Sequence, residues 1–324
     1  MNLKEKNNEI LHPKIQPYLY GYDSYFQFFT SLYNKKKLPN VMLLTGIKGL
    51  GKSTFVYHFI NYLLSHGEAN PYSLPKFKIN QNNFSFKLIQ NGTHPNFFLL
   101  ENTFSNEYIK IEQVRNLLGF LNKSILSKNL RIVLIDNAEF LNINSSNALL
   151  KSLEEPSSNT FFFIIHNSSS KILDTIKSRC VEYKFHFNNL QKKNIFNKIS
   201  QNYQINIHND ILDQFLYFDS PGNILRYLLV FNDTNFTISR DILSCILYLM
   251  EKYKNKKDPE LLNFITLFIE NYYNELSLNN NSNLINYFNN KYKILNMIQN
   301  MKTFNLNEKN LLTSIDRIIR NEAK

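Results

Sequence analysis

Residues 41–54 constrain this chain more than any other stretch. An apolar run, Val41-Met42-Leu43-Leu44, leads into Gly46-Ile47-Lys48-Gly49-Leu50-Gly51-Lys52-Ser53, which has the G-x-x-x-x-G-K-S spacing of a P-loop. Behind it Phe55, Val56, Phe59, Ile60, Leu63 and Leu64 recur at helical intervals. A buried strand, a glycine turn and a helix N-terminus in that order aim backbone N–H groups and the positive end of a helix at one point, which suits a phosphate. The candidate binding residues are Gly46, Gly49, Gly51, Lys52, Ser53 and Thr54. Lys52 would reach the terminal phosphates of a nucleotide and Ser53 would hold Mg²⁺. A ligand-free glycine turn or a P-loop that has lost its nucleotide would share this spacing. Lys-Ser after the last glycine favours binding.

At 324 residues the chain is long enough for two or three domains with their own cores. No apolar run approaches the length of a membrane span, and Met1-Asn2-Leu3-Lys4-Glu5-Lys6 lacks the apolar centre of a signal peptide, so the expected setting is the cytoplasm. Two cysteines, Cys180 and Cys245, cannot make a zinc cluster, and no zinc site is expected. The formal charge of +11 suits a polyanionic partner, but abundant Asn, Lys, Ile and Phe also fit an AT-rich coding bias. Charge alone does not make the chain a DNA binder.

Upstream of the P-loop, Tyr25, Phe28, Phe29 and Leu32 mark a helix whose end carries Lys35-Lys36-Lys37, a solvated cluster suited to the helix dipole. His12, beside a proline, reads as structural. Residues 70–86 are rich in Asn and Pro and read as irregular. His94-Pro95-Asn96 then turns into a strand at 97–100, and Ile109-Lys110-Ile111-Glu112-Gln113-Val114-Arg115 opens an amphipathic helix. Arg131-Ile132-Val133-Leu134-Ile135-Asp136 reads as a buried parallel strand with an acid at its C-terminal edge, where open α/β sheets bind ligands. With a P-loop upstream, Asp136 takes the Walker B position beside Mg²⁺.

Many hydrolysing P-loop proteins carry a glutamate directly after that aspartate to align the attacking water. Here the residue is Asn137, whose amide cannot accept a proton as a carboxylate does. The spacing of Glu139 points it elsewhere on the turn. Residues 142–156 read as a capped helix stopped by Pro156, 160–165 as a strand, and 181–185 as another. Strands and helices alternating from 41 to 185 predict an α/β fold with a doubly wound, mainly parallel sheet.

These pieces resemble the AAA+ subunits of the bacterial DNA polymerase III clamp loader, above all those of delta-prime type. The resemblance rests on Leu11-His12-Pro13, Lys37-Leu38-Pro39-Asn40 before the P-loop, His94-Pro95-Asn96, the 109–115 stretch and Ile135-Asp136-Asn137-Ala138-Glu139. It is most specific in Asn147-Ala148-Leu149-Leu150-Lys151-Ser152-Leu153-Glu154-Glu155-Pro156 followed by Ser178-Arg179-Cys180. It is strong over roughly the first 190 residues and weaker beyond. It implies an AAA+ module at 1–187, a small helical lid at 188–238 and an all-α collar at 239–324.

The same resemblance implies a ring with gamma/tau-type and delta-type subunits that places a sliding clamp on primer-template DNA. Arg179 becomes an arginine finger reaching the ATP of a neighbouring subunit. Asn167 or Ser168 takes a sensor position near the terminal phosphate. Taken without the resemblance, Arg179 would be a surface side chain pairing with Glu182 or with the Glu154-Glu155 pair. Cys180 reads as a packed residue. Arg226 follows Ser220-Pro221-Gly222 at an offset unlike that of a sensor arginine, and the leucine and aromatic stripes from 242 to 269 read as core.

The expected activity is that of a stator that lends Arg179 in trans and binds ATP and Mg²⁺ with weak or no hydrolysis. Three alternatives remain. One is a gamma/tau-type motor, opposed by Asn137, the missing zinc cysteines and the absence of a long C-terminal extension. Another is a scaffold with an unused P-loop. The last is an autonomous DNA-binding ATPase, for which no nucleic-acid motif is recognisable.

Overall fold

The computed structural model describes residues 12–102, 108–123, 130–157, 159–203, 209–232, 242–257, 259–279, 283–304 and 308–322. Residues 1–6 and Leu11, used in the sequence reading, lie outside them. The chain divides into two compact units, Ile10–Ile199 and Ser200–Lys324.

The first unit is built on five parallel strands, β1 (Val41–Gly46), β2 (Phe97–Leu100), β3 (Arg131–Ile135), β4 (Thr160–Asn167) and β5 (Val181–Lys184), in the order β2-β3-β4-β1-β5. The three inner strands are apolar along almost their whole length because both faces are covered. Met42, Leu44, Ile132, Leu134, Phe163 and Ile165 face one core with α1 (Asp23–Asn34), α2 (Lys52–Ser65) and α3 (Phe84–Gln90). Val41, Leu43, Val133, Ile135, Phe162 and Ile164 face the other, with α4 (Ile111–Leu121), α5 (Ile143–Glu154) and α6 (Asp174–Lys177). The doubly wound sheet expected from the alternating pattern is therefore present.

The first core is aromatic. Phe55 of α2 meets Phe29 at 5.2 Å and Phe26 at 6.0 Å between ring centroids, fixing α1 against the helix that follows the P-loop. Offset and edge-on rings of this kind add to the area they bury. Two local expectations change. The irregular segment ends sooner than residue 86, because Asn83 caps α3 by accepting the Phe86 N–H at 2.7 Å, a role that Asn performs at helix starts. The fourth strand runs two residues past Ile165, which carries Asn167 to the edge beside Gly46.

Further on, α7 (Asn189–Tyr203), α8 (Asn209–Phe218) and α9 (Pro221–Asn232) are followed by α10 (Ile242–Lys256), α11 (Pro259–Asn279), α12 (Leu284–Phe304) and α13 (Glu308–Glu322). In the second unit Phe215 meets Phe268 at 4.9 Å and Tyr227 stacks on Phe264 at 4.4 Å. Leu261, Leu262, Ile265, Phe268 and Ile269 are buried, the core role expected of that stripe. Among the described residues, no helix is long and apolar enough to cross a membrane.

Gly21 closes the first unit on itself. Its φ of +76° is left-handed, and an added Cβ would lie 2.4 Å from Cγ1 and Cδ1 of Ile195 in α7. Gly67 has a similar φ of +82° with nothing within 4 Å of its missing Cβ. Each Gly→Ala change should cost about 1–2 kcal/mol for the backbone alone. Gly21→Ala should cost at least about 1 kcal/mol more for overpacking, read as the gap between urea midpoints of the two variants. Equal midpoints would show that Ile195 yields freely.

Candidate nucleotide site

The loop between β1 and α2 is shaped by close approach as much as by dihedral freedom. A Cβ on Gly46 would lie 3.0 Å from the carbonyl of Phe185 and 3.2 Å from Leu50. Gly51, at φ +96°, is the N-cap of α2, and Gly49 is also left-handed. The loop is pinned from below by Tyr22, whose hydroxyl donates to the Leu50 carbonyl at 3.1 Å. Burial, helped by nearby Tyr25, raises the Tyr22 phenol well above its usual pKa, so it stays a donor.

Lys52 is the first residue of α2 and only 6% exposed. Its ammonium donates to the carbonyls of Gly46 at 2.6 Å and Ile47 at 2.8 Å. Burial pulls its pKa down to about 8, against the opposing pull of Glu139 and then Asp136. Ser53 donates to Asp136 Oδ2 at 2.8 Å, and Oδ1 accepts the Asn137 N–H at 2.9 Å. Burial raises the Asp136 pKa, and the hydrogen bonds from Ser53 and Asn137 and the charge of Lys52 oppose that rise. Thr54, half-buried, follows on the first turn of α2.

These residues fit a nucleotide with its cation. A buried ammonium resting only on loop carbonyls can turn to phosphate oxygens, and a hydroxyl beside a carboxylate is the oxygen pair that Mg²⁺ takes in P-loop proteins. Among the described residues no group of three or more His, Cys, Asp or Glu gathers into a metal site. A cation at Ser53 and Asp136 would complete its shell with phosphate oxygens and water.

Asn137 sits at φ 58°, ψ 56°, in the left-handed region that Asn tolerates better than most residues. Its side-chain amide donates to Asn102 Oδ1 at 3.2 Å. The amide at this position thus has a backbone reason as well as a chemical consequence. Glu139 corrects the sequence reading. The left-handed turn at 137 and the 3₁₀ turn Ala138–Phe140 swing it back, so that its Oε2 accepts the Asn167 N–H at 3.2 Å. Asn167 is the ladder partner of Gly46, and the Ser168 N–H donates to the Gly46 carbonyl at 3.1 Å. Glu101, at the end of β2, is a second acid that the spacing did not reveal; burial first, and Asp136 next, raise its pKa.

Arg179 follows α6 at the surface, with a side chain 27% exposed. Its Nε donates to Glu154 Oε1 at 2.7 Å and its Nη2 donates to the same oxygen. Nη1 donates to the Thr175 carbonyl at 2.8 Å and to Ser178 Oγ at 3.3 Å. Of the two acidic partners considered from sequence, the Glu154 side is occupied in this chain, while Glu182 pairs with Lys177 at 3.8 Å. Burial pushes the Cys180 thiol up to about 12, and its Sγ donates to the Ile176 carbonyl, as befits a packed residue. His12 Nδ1 accepts the Lys14 N–H at 3.3 Å, a structural role. Arg226 lies half-buried on α9 of the second unit.

Among known proteins, the model of the family described as DNA polymerase III, delta subunit, matches residues 21–189. The chain is 36% identical over 154 residues to the DNA polymerase III subunit delta' of Pseudomonas aeruginosa, which is 48% of this chain and 45% of the relative. It is 26% identical over 155 residues to the subunit of the same name from Escherichia coli strain K12, again 48% and 45%. In these matches the chain spans about half the length of the curated relatives. A crystal structure of a DNA polymerase III gamma subunit-related protein from Thermotoga maritima aligns with a TM-score of 0.47 at 16% identity, covering 91% of this chain and 99% of that one.

The Lys52 environment has a consequence for stability. The folded chain sheds this proton near pH 8, whereas the unfolded chain keeps it to about 10.5. Stability is therefore reduced below pH 8 and recovers as pH rises from 8 towards 10, where the unfolded state binds more protons. Between pH 7.5 and 9.5 the parent should gain about 1–2 kcal/mol relative to Lys52→Met in urea unfolding. Parallel pH profiles for the two proteins would contradict this.

Proposed function

The chain belongs to the DNA polymerase III delta-subunit family, and from that membership we propose that it is a delta-prime-type clamp-loader subunit acting in cytoplasmic DNA replication. In this reading it is a stator, joining gamma/tau-type and delta-type subunits and meeting the sliding clamp and primer-template DNA through the complex. Residues 1–187 form the AAA+ module, 188–238 the lid and 239–324 the collar. Ile285, Phe288 and Tyr292, exposed on α12 at helical spacing, support a collar face that packs on neighbouring subunits.

The observation that carries the reading is the Lys52 ammonium on the loop carbonyls beside the Ser53–Asp136 pair, with an amide at residue 137. ATP would rest its phosphates on the loop N–H groups and Lys52, with Mg²⁺ toward Ser53 and Asp136 and Asn167 at the sensor position. The nucleotide supplies the phosphoanhydride; this chain's residues bind and orient it. Asn137 leaves the attacking water without its usual carboxylate. The isolated chain should accordingly bind a fluorescent ATP analogue and release phosphate barely above background. Robust turnover by the purified chain would favour the gamma/tau-type motor instead.

A guanidinium keeps its charge at any working pH and can fork onto phosphate oxygens, so one held at the surface can offset transition-state charge in a neighbour's site. Arg179→Ala should leave assembly of the reconstituted loader intact and lower its ATPase by about 10²-fold or more. Undiminished ATPase would remove Arg179 from the reaction.

A further inference from the structure

Glu139 enters the pocket from a direction that motif spacing hides. Asn137 reverses the chain at the end of β3, and the turn Ala138–Phe140 carries residue 139 towards β4. There its carboxylate is fixed by the Asn167 N–H at 3.2 Å. The next N–H, that of Ser168 just past β4, goes to the Gly46 carbonyl, which also takes the Lys52 ammonium. Two consecutive residues at the edge of one strand thus hold the Glu139 carboxylate and the carbonyl on which Lys52 rests. Glu139 and Asp136 are the two acids whose charge acts on the Lys52 ammonium.

We propose that Glu139 is a specificity residue of this pocket, a fixed anion that disfavours a terminal γ-phosphate and so biases the chain towards nucleoside diphosphate. The inference rests on reading this pocket as a nucleotide site. A triphosphate carries more negative charge than a diphosphate, and its last phosphate competes with Glu139 for one ammonium. Like charges brought together away from bulk water repel strongly. Asp136 does not impose the same penalty, because Ser53 and the Asn137 N–H already bond its carboxylate and the incoming Mg²⁺ would neutralise it. Removing the divalent cation should therefore sharpen the discrimination.

The test is calorimetric titration of the full chain with ADP and with a non-hydrolysable ATP analogue, in Mg²⁺ and in EDTA. The proteins are the parent, Glu139→Gln and, as a control for the site, Lys52→Ala. Glutamine keeps an acceptor for the Asn167 N–H and removes the charge. Glu139→Gln should tighten the triphosphate analogue about tenfold, and ADP by about twofold or less, with the larger gap in EDTA. Equal tightening for both nucleotides, no change, or weaker binding would overturn the proposal while leaving the nucleotide reading in place. Should neither the parent nor Glu139→Gln bind either nucleotide, the nucleotide reading falls and takes this inference with it. If Glu139→Gln loses its thermal transition, Glu139→Ala replaces it with the same expectation.

Discussion

The ammonium of Lys52, taken almost wholly out of water and set on the carbonyls of Gly46 and Ile47, is the interaction around which the first unit is arranged. A buried cation is tolerable only when its donors are satisfied and opposite charge lies near. Both conditions shape the surroundings. Gly46 has no Cβ because Phe185, Leu50 and the Lys52 stem fill the space. Gly51 takes a left-handed turn so that the helix can begin at the lysine itself. Asp136 and Glu139 converge from the β3 edge to supply the charge. Tyr22, buried in the aromatic layer with Phe55 and Phe59, ties the loop to that layer through the Leu50 carbonyl.

Two cations of opposite character follow from this arrangement. Lys52 is buried, and burial brings its charge within reach of pH. Arg179 is at the surface, its charge is permanent, and Glu154, Thr175 and Ser178 hold its guanidinium in one orientation. A side chain ordered in advance loses less entropy when a partner arrives, so the Glu154 pairing is compatible with service to another molecule. The pairing foreseen for an ordinary surface arginine is the one present in this chain, and it does not conflict with the role proposed for Arg179 in trans.

Asn137 shows how one residue answers to two constraints. Its amide stands where the proposed reading expects no general base, and its left-handed backbone starts the turn that brings Glu139 to the Asn167 N–H. The carboxylate missing from one position is thus replaced by another a few residues on, in a different place relative to Lys52 and held by a backbone N–H.

Much of this was legible in the residues alone. The apolar runs ending in Gly46 and Asp136 specify buried parallel strands, because only strands covered on both faces can be apolar throughout. The glycine spacing and Lys52-Ser53 specify a left-handed loop with a helix that begins at the lysine. Family membership was legible in the block from Asn147 to Pro156 with Ser178-Arg179-Cys180. Which partners the polar side chains take was not legible. Glu139 depends on a left-handed turn and on β4 running on to Asn167, α3 depends on the cap from Asn83, and the hold of Glu154 on Arg179 joins groups 25 residues apart. Sequence periodicity and spacing fix short-range geometry, so they determine strands, helices and the loop between them. Charges and hydrogen-bond partners brought together across elements depend on how strands are ordered and how turns close, and that only the tertiary structure decides.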